Sequence, residues 1–449
     1  MPDKRSPQHH GSPSRRTFLA STMAGTAGIL SQPLLSAEAS VQSVDSAAPI
    51  TIGSRRELFV DHALIEELTG GARQQLHHPV PREAAVEHDA PWEGNACGYH
   101  NVFQDGDLYR MYYNARHITV LDDGNINLSR HPVFCCYAES KDGIHWEKPE
   151  LGLREFQGSK KNNIIFENGV MGAFTLVAGH ISVFKDENPD TPADARYKAI
   201  GWSHKPNGLV PFKSADGLHW TPMTEVPMLQ DQGAFDTQNL AFWDTTIGKY
   251  RAYWRIFTGG SKPGLYWSPG AVRAIRTATS DDLIHWGPTT DLTYEDSPEE
   301  ELYTNQIKPY PRAPHLLIGF PTRYIERGWS PSMRALPEAE GRVKRSQKVE
   351  RYGTALSEGL LMVSRDGRHF TRWNEAFLRP GIERPGTWHY GHQFIAWHTV
   401  ETQSALPGAP NELSIYAPEG LWHEHGDTLR RYTLRLDGFV SVNAPLSGG

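Results

Sequence analysis

The chain of 449 residues is 38% hydrophobic, 22% charged and 10% aromatic, with a mean hydropathy of -0.53, a balance that excludes a disordered or collagen-like chain. Its 45 Lys and Arg against 52 Asp and Glu give a net charge of -7 and a pI near 6.3, which leaves no basic footprint for wrapping nucleic acid. Thirteen Trp, 17 Tyr and 17 Phe beside 41 Gly and 32 Pro favour short strands and turns, with aromatic surface left for stacking on a flat ligand.

Residues 1–39 read as an export signal. Ser14-Arg15-Arg16-Thr17-Phe18-Leu19 is a twin-arginine motif, a mildly apolar stretch runs from Phe18 to Leu35, and Ala37-Glu38-Ala39 offers a small-x-small cleavage site. The expected location is periplasmic or secreted, the chain crossing already folded. No later segment reaches the ~20 apolar residues of a membrane span. Next, Arg56-Glu57-Leu58-Phe59-Val60-Asp61 is a strand signal placed to close a ring by pairing with the last sheet. Cys97, Cys135 and Cys136 match neither a disulfide framework nor a zinc pattern and are expected as small buried side chains, with one bridge from Cys97 left open.

A repeat decides the architecture. Ser140 to Trp146, Ser214 to Trp220, Ser280 to Trp286 and Ser364 to Phe370 share the pattern S-x-D-[G/L]-x-H-[W/F], and their Asp residues recur at intervals of 74, 66 and 84. Each copy follows a β-rich run such as Val133 to Ala138, Val272 to Ala278 or Leu360 to Val363. The motif therefore predicts a hairpin: Asp-Gly supplies the positive φ of a tight turn, Ser and Asp bond turn amides, and the aromatic packs on the sheet. His145, His219, His285 and His369 are then hairpin partners rather than ligands. A period of about 75 over residues 40–449 predicts an all-β fold, a five-bladed β-propeller of four-stranded blades around an axial pocket. The blades are placed at about 80–155, 156–228, 229–296, 297–380 and 381–440. Glu326 to Lys348, rich in Arg, Pro and Glu, interrupts blade 4 as a surface loop near the ring's mouth.

In a propeller, residues that precede each blade's first strand converge on one pocket. Carboxylates lead blade 1 (Asp89, Glu93), blade 3 (Asp236) and blade 4 (Glu299, Glu300, Glu301). Asp236 stands out, since Gly-Ala-Phe-Asp-Thr-Gln-Asn runs straight into the apolar Leu240-Ala241-Phe242-Trp243. His100, Asn101, His180, Asn239, Arg255, Asn305, Gln306, Arg323 and His392 are candidates to bind hydroxyls or a carboxylate, with Trp92, Tyr99, Tyr303, Trp388 and Tyr390 as aromatic platforms. No metal ligand set is assigned and no cofactor is required. A divalent cation on the axis stays open, because imidazoles from different blades could meet there, although His389 and His392 in one strand would point opposite ways.

The hairpin motif with acidic residues ahead of the inner strands resembles the five-bladed propeller glycoside hydrolases of the arabinanase, xylosidase and invertase types. Glu57-Leu58-Phe59-Val60-Asp61, Pro91-Trp92-Glu93-Gly94, Asp236-Thr237-Gln238-Asn239 and Leu434-Arg435-Leu436-Asp437-Gly438-Phe439-Val440-Ser441 more closely resemble uncharacterised exported propeller proteins of planctomycete-type bacteria, over residues 55–449. In those relatives a β-sandwich follows the Asp-Gly-Phe segment, which here is expected to be missing or reduced.

The resemblance implies cleavage of a plant or algal oligo- or polysaccharide by three carboxylates. Matched by position, these are Glu93 (or Asp89) as base or nucleophile, Asp236 supporting the charged transition state, and Glu301 (or Glu300) as general acid. The invertase W-x-N-D-P-N-G, R-D-P and E-C motifs are absent. Two other readings are a carbohydrate-binding propeller without catalysis and a metal-dependent enzyme of the lactonase or lyase type. Two carboxylates within ~5–10 Å of each other mark the hydrolase.

Overall fold

The structure is a computed structural model that describes residues 50–128, 130–259, 268–422 and 426–446; the twin-arginine motif, its apolar stretch and the cleavage site lie outside them. Alternating apolar runs pair with their neighbours in sequence, as short turns require. Blade 1 is Gly98–Asp105, Leu108–Ala115, Phe134–Ser140 and Ile164–Glu167. Blade 2 centres on Phe174–Lys185, Tyr197–Ser203, Gly208–Ser214 and Thr221–Pro222, and blade 3 on Leu240–Asp244, Lys249–Gly259, Ala271–Ser280 and Thr290–Asp291. Blade 4 uses Lys308–Tyr310, Ala313–Gly319, Met362–Ser364 and His369–Arg372, with Thr293–Glu295 added parallel to its last strand. Blade 5 is Val400–Thr402, Glu412–Glu419 and Thr428–Arg435, completed by Val80–Glu87. This is the expected five-bladed propeller.

Apolar clusters fill the seams between blades and show that the ring is closed. One joins blade 1 to blade 2 through Tyr112, Tyr137, Phe166 and Phe212, and another runs from Phe184 through Phe242 and Tyr253 to Met362. Leu316, Val363, Ile415 and Leu434 join blade 4 to blade 5, and Leu429 and Tyr416 meet Met111 and Phe134 where blade 5 returns to blade 1. Each such buried side chain contributes about 1.5–3 kcal/mol.

Closure differs from the expectation. Val80–Glu87, expected at the head of blade 1, is the outer strand of blade 5, while Arg56 to Asp61 forms no strand. Leu58 and Val60 instead join the core between blades 4 and 5, and Glu57 and Asp61 clasp Arg365 at 3.0 and 2.7 Å. Arg73–Leu76 makes a second seal against Val440–Asn443.

All four repeats form the expected turn between a blade's third and fourth strands. In the first, Ser140 Oγ accepts from Gly143 N at 2.9 Å, Asp142 Oδ1 accepts from Ile144 N and His145 N, and His145 Nδ1 lies 2.7 Å from Asp142 Oδ2. The φ values at Gly143, Gly217, Leu283 and Gly367 are +71°, +81°, +68° and +82°. A tyrosine of the preceding blade donates to the turn's carbonyl in three of them: Tyr112 to Gly217 (3.1 Å), Tyr253 to Gly367 (2.9 Å) and Tyr416 to Gly143. The turns thus bolt each of these blades to its neighbour.

Amides stitch the axis. Trp397 N donates to His100 O and Val102 N to Trp397 O, at 2.7 and 3.0 Å. Asn101 Oδ1 accepts from Val183 N (2.9 Å), Gln238 Nε2 donates to Tyr99 O (3.0 Å), and Gln306 Nε2 donates to Gln238 Oε1 and Ile395 O (both 2.7 Å). These three buried side chains join the inner segments of all five blades and plug the channel.

The blade 4 insertion is helical rather than a loop: Pro331–Ala335, Ala339–Ser346 and Arg351–Thr354. Ser330 caps the first helix by accepting from Met333 N at 3.1 Å. The three cysteines are buried free thiols, as expected of small core side chains, and burial raises the pKa of each.

Candidate active site

The segment Gly233 to Asn239, which leads into the first strand of blade 3, builds the site. Thr237, Gln238 and Asn239 are fully buried, and Asn239 Nδ2 donates to the carbonyls of Phe235 and Thr237 at 2.9 and 3.0 Å. That tie makes a tight loop and turns Asp236 outward, its side chain 60% exposed. Gly233 is required by close approach, since a Cβ there would lie 2.4 Å from the Trp254 ring.

Asp236 opens into a cavity of about 470 Å³ on the side where the chain enters the inner strands. Blade 2 contributes Trp202, blade 3 Arg255, Phe257 and Arg273, the approach to blade 4 Tyr303, the insertion Arg351 and Tyr352, and the approach to blade 5 Tyr390. The pairing of Phe257 with Arg273 across two strands, and the two-residue spacing of Arg255 and Phe257, set both guanidiniums on one face. Arg255 bridges to Asp236, and Arg273 Nη1 to Glu301 Oε2 at 2.8 Å. Both guanidinium carbons stand 5.2 Å from the Tyr303 ring centre, and both also face Phe257.

Tyr390 donates to the Tyr303 hydroxyl at 2.7 Å. Burial alone would raise the pKa of the Tyr303 phenol; Arg255, the bond from Tyr390 and Arg273 together outweigh both burial and the opposing charge of Asp236, and hold it below the ordinary tyrosine value. His180, between the rings of Tyr99 and Trp202, is pushed down to about 3 by burial and by Arg116 and Arg255, against the pull of Asp236, and so is neutral at neutral pH.

The expected carboxylates are not brought into one cavity. Asp236 lines it and Glu301 stands behind Arg273, but Glu93 is fully buried elsewhere, accepting from Tyr113 Oη (2.6 Å), Lys148 Nζ (2.8 Å) and Ala90 N (2.8 Å). Its alternative Asp89 pairs with the same Lys148 at 2.8 Å, and Glu300 with Arg323 and Arg372 at 3.0 Å. Charge pairing inside the protein, rather than a ligand, accounts for these acids.

Other expected binding residues are also occupied structurally. Trp92 donates to Asn163, His100 packs on Tyr113, Asn101 and Gln306 plug the axis, and Arg323 holds Glu358 and Glu300. His392 is buried beside Ser357, in a turn rather than a strand, and its ring stacks 5.6 Å from His389 instead of pointing away from it. Of the binding candidates, Arg255, Tyr303 and Tyr390 line the cavity and His180 adjoins it through Trp202. Sequence reasoning missed Trp202, Phe257, Arg273, Arg351 and Tyr352 as lining residues. The Arg-x-Phe spacing on one strand face was the available signal for Phe257.

A second polar cluster holds His88, Cys97 and Asp427, whose potential metal-binding atoms lie within 4.8 Å of one another. His88 Nδ1 sits 2.7 Å from Asp427, and the Cys97 backbone N–H donates to the same carboxylate at 2.6 Å. Both members retain a proton more strongly than in water, Asp427 chiefly through burial and His88 because the charge and close contact of Asp427, together with the Glu93 charge, outweigh burial. The pair is fully buried, and the set does not line the Asp236 cavity.

No family model matches the chain, and no curated protein does. Among solved structures it is similar to a glycoside hydrolase (14% identity, TM-score 0.47, 82% of this chain and 95% of that one) and to an endo-arabinase from Bacteroides thetaiotaomicron VPI-5482 (11%, 0.43, 80% and 97%). It is also similar to an N-acetylgalactosamine deacetylase from F. plautii in complex with blood group B trisaccharide (11%, 0.45, 82% and 95%).

Proposed function

We propose that the protein is a glycoside hydrolase that acts on an oligo- or polysaccharide in the Asp236 cavity. The observation that carries this reading is a solvent-facing carboxylate displayed by a run of fully buried residues, paired to a buried arginine and walled by aromatic rings. Asp236, ion-paired to Arg255, acts at the anomeric carbon, the role that Glu93 is too deeply engaged to fill. Tyr303, whose hydroxyl accepts from Tyr390 and so keeps its own proton free, gives that proton to the glycosidic oxygen, and the two guanidiniums facing its ring stabilise the phenolate left behind. Glu301 positions Arg273. The twin-arginine motif supports a place of action outside the cytoplasm.

The test is sugar release from arabinans, xylans, fructans, sulfated glycans and aryl glycosides by the wild type and by Asp236→Asn, Tyr303→Phe and Glu301→Gln. Release lost in the first two and reduced in the third, with the fold intact, is the expected result. Release unaffected by Asp236→Asn overturns the assignment. One observation favours a second reading, a carbohydrate-binding propeller: Asp236 is the single carboxylate lining this cavity among the described residues. Binding without release on any substrate selects it.

A further inference from the structure

We infer that the cavity is built for an anionic sugar, whose carboxylate or sulfate ester is held by Arg255, Arg273 and Arg351. This deepens the reading above by naming the substrate class. Three guanidiniums line the cavity against the one carboxylate of Asp236, and counting Glu301 behind Arg273 still leaves a positive excess, in a chain whose net charge is -7.

The arginines also hold unspent donors. Arg255 and Arg273 are only 3% and 5% exposed, and the Nε of each is buried without a hydrogen-bond partner. Among the described residues, Arg255 makes one side-chain bond, to Asp236; Arg273 makes one, to Glu301; Arg351 hydrogen-bonds only the Tyr324 hydroxyl, at 3.4 Å. A guanidinium held under a protein roof costs stability unless its donors find acceptors, and arginine pairs in the core normally spend more of their five. Phe257 and Tyr303 fix the planes of Arg255 and Arg273, leaving their edges to bind, which is the geometry that suits a planar carboxylate or a sulfate oxygen pair. Arg116 adds a further cation, bonded to Ala96 O and to no carboxylate among the described residues, whose charge is felt by Tyr99, His180 and Tyr390. The tyrosine faces supply the platform for the sugar ring itself.

The same surroundings suit Tyr303 as the proton donor. A neutral phenol does not repel a substrate carboxylate beside it, and the negative charge it takes on when its proton passes to the leaving oxygen lies beside two guanidiniums.

The experiment is calorimetric binding to the full chain, so that it reads without turnover. The probes are a glucuronate-terminated disaccharide, its glucose-terminated counterpart and the 6-sulfated form of the latter, at 50 and 300 mM salt. We expect at least one charged disaccharide to bind about tenfold or more tighter than the neutral one, with the preference retained at 300 mM salt as befits buried partners. Which charged form wins distinguishes carboxylate from sulfate. Arg273→Met removes most of the preference; Arg351→Gln, on a half-buried helix, lowers it without risk to the core. Equal affinity for charged and neutral probes, no binding of any of them, or a preference that both substitutions leave unchanged overturns the inference. Preferential binding without sugar release keeps it and rejects the hydrolase instead.

Discussion

Two regions of this propeller carry carboxylates among aromatic and basic residues, and they differ in what those groups have left to give. Around Glu93 the acid is spent: Lys148, Tyr113 and a backbone amide saturate it. Around Asp236 the carboxylate faces solvent and the guanidiniums keep donors in reserve. A buried, satisfied cluster contributes to the fold; an open, unsatisfied one awaits a ligand.

That contrast breaks most sharply by swapping the measurement. Asp236→Asn should cut sugar release by about 10²-fold or more at a cost of about 1 kcal/mol in unfolding free energy, since the amide oxygen can still accept from the buried Arg255. Glu93→Ala should do the reverse at the level of stability, costing about 3–5 kcal/mol in urea denaturation by leaving Tyr113 and the Ala90 amide without their acceptor and taking one of two carboxylates from Lys148. Equal effects on both quantities at both sites would erase the distinction.

Smaller effects test the turns that hold the cavity's walls together. Gly367→Ala should cost about 1–3 kcal/mol, because a Cβ at φ +82° would lie 2.3 Å from Arg251 and 2.9 Å from the Tyr253 hydroxyl. Gly152→Ala, at φ +72° with nothing within 4 Å, is the milder control. Tyr253→Phe removes one blade-to-blade bond and should cost about 1 kcal/mol.

The least of the expected effects is in acid. Partial burial would raise Asp282, but bonds from the His285 backbone and ring, Ile284 N and Ser280 pull it down to about 2, and Asp142, Asp216 and Asp366 are lowered in the same way. A depressed carboxylate contributes fully above its unfolded pKa of about 4 and loses that contribution as pH falls through the folded value. Melting temperature should therefore drop between about pH 4 and pH 2, and Asp282→Asn should flatten that limb.

The propeller was legible because a turn motif recurs with side chains that serve only their own hairpin: Ser140, Asp142 and His145 need no distant partner to be understood. Ring closure was less so. Val80–Glu87 is largely exposed, with Pro81 and two alanines in place of strong alternation, whereas Leu58 and Val60 looked like a strand but are core plugs in irregular chain. Asp236 could be read from its abrupt place before an apolar strand. Glu93 misled because its partner Lys148 is 55 residues away. Arg273 joins the site only through the strand register that pairs it with Phe257, and Tyr352 only because an insertion folds into helices over the mouth.

The ring's seam also has a consequence in time. Glu83 meets Arg431 across 348 residues of chain, so residues 80–87 leave the ribosome long before their partner strand exists. Until then the nascent protein is an open arc with a naked edge at each end, the kind of surface on which chains stick to one another. The ring can shut only after residues 428–435 have been made, which puts closure behind every other blade in the order of synthesis.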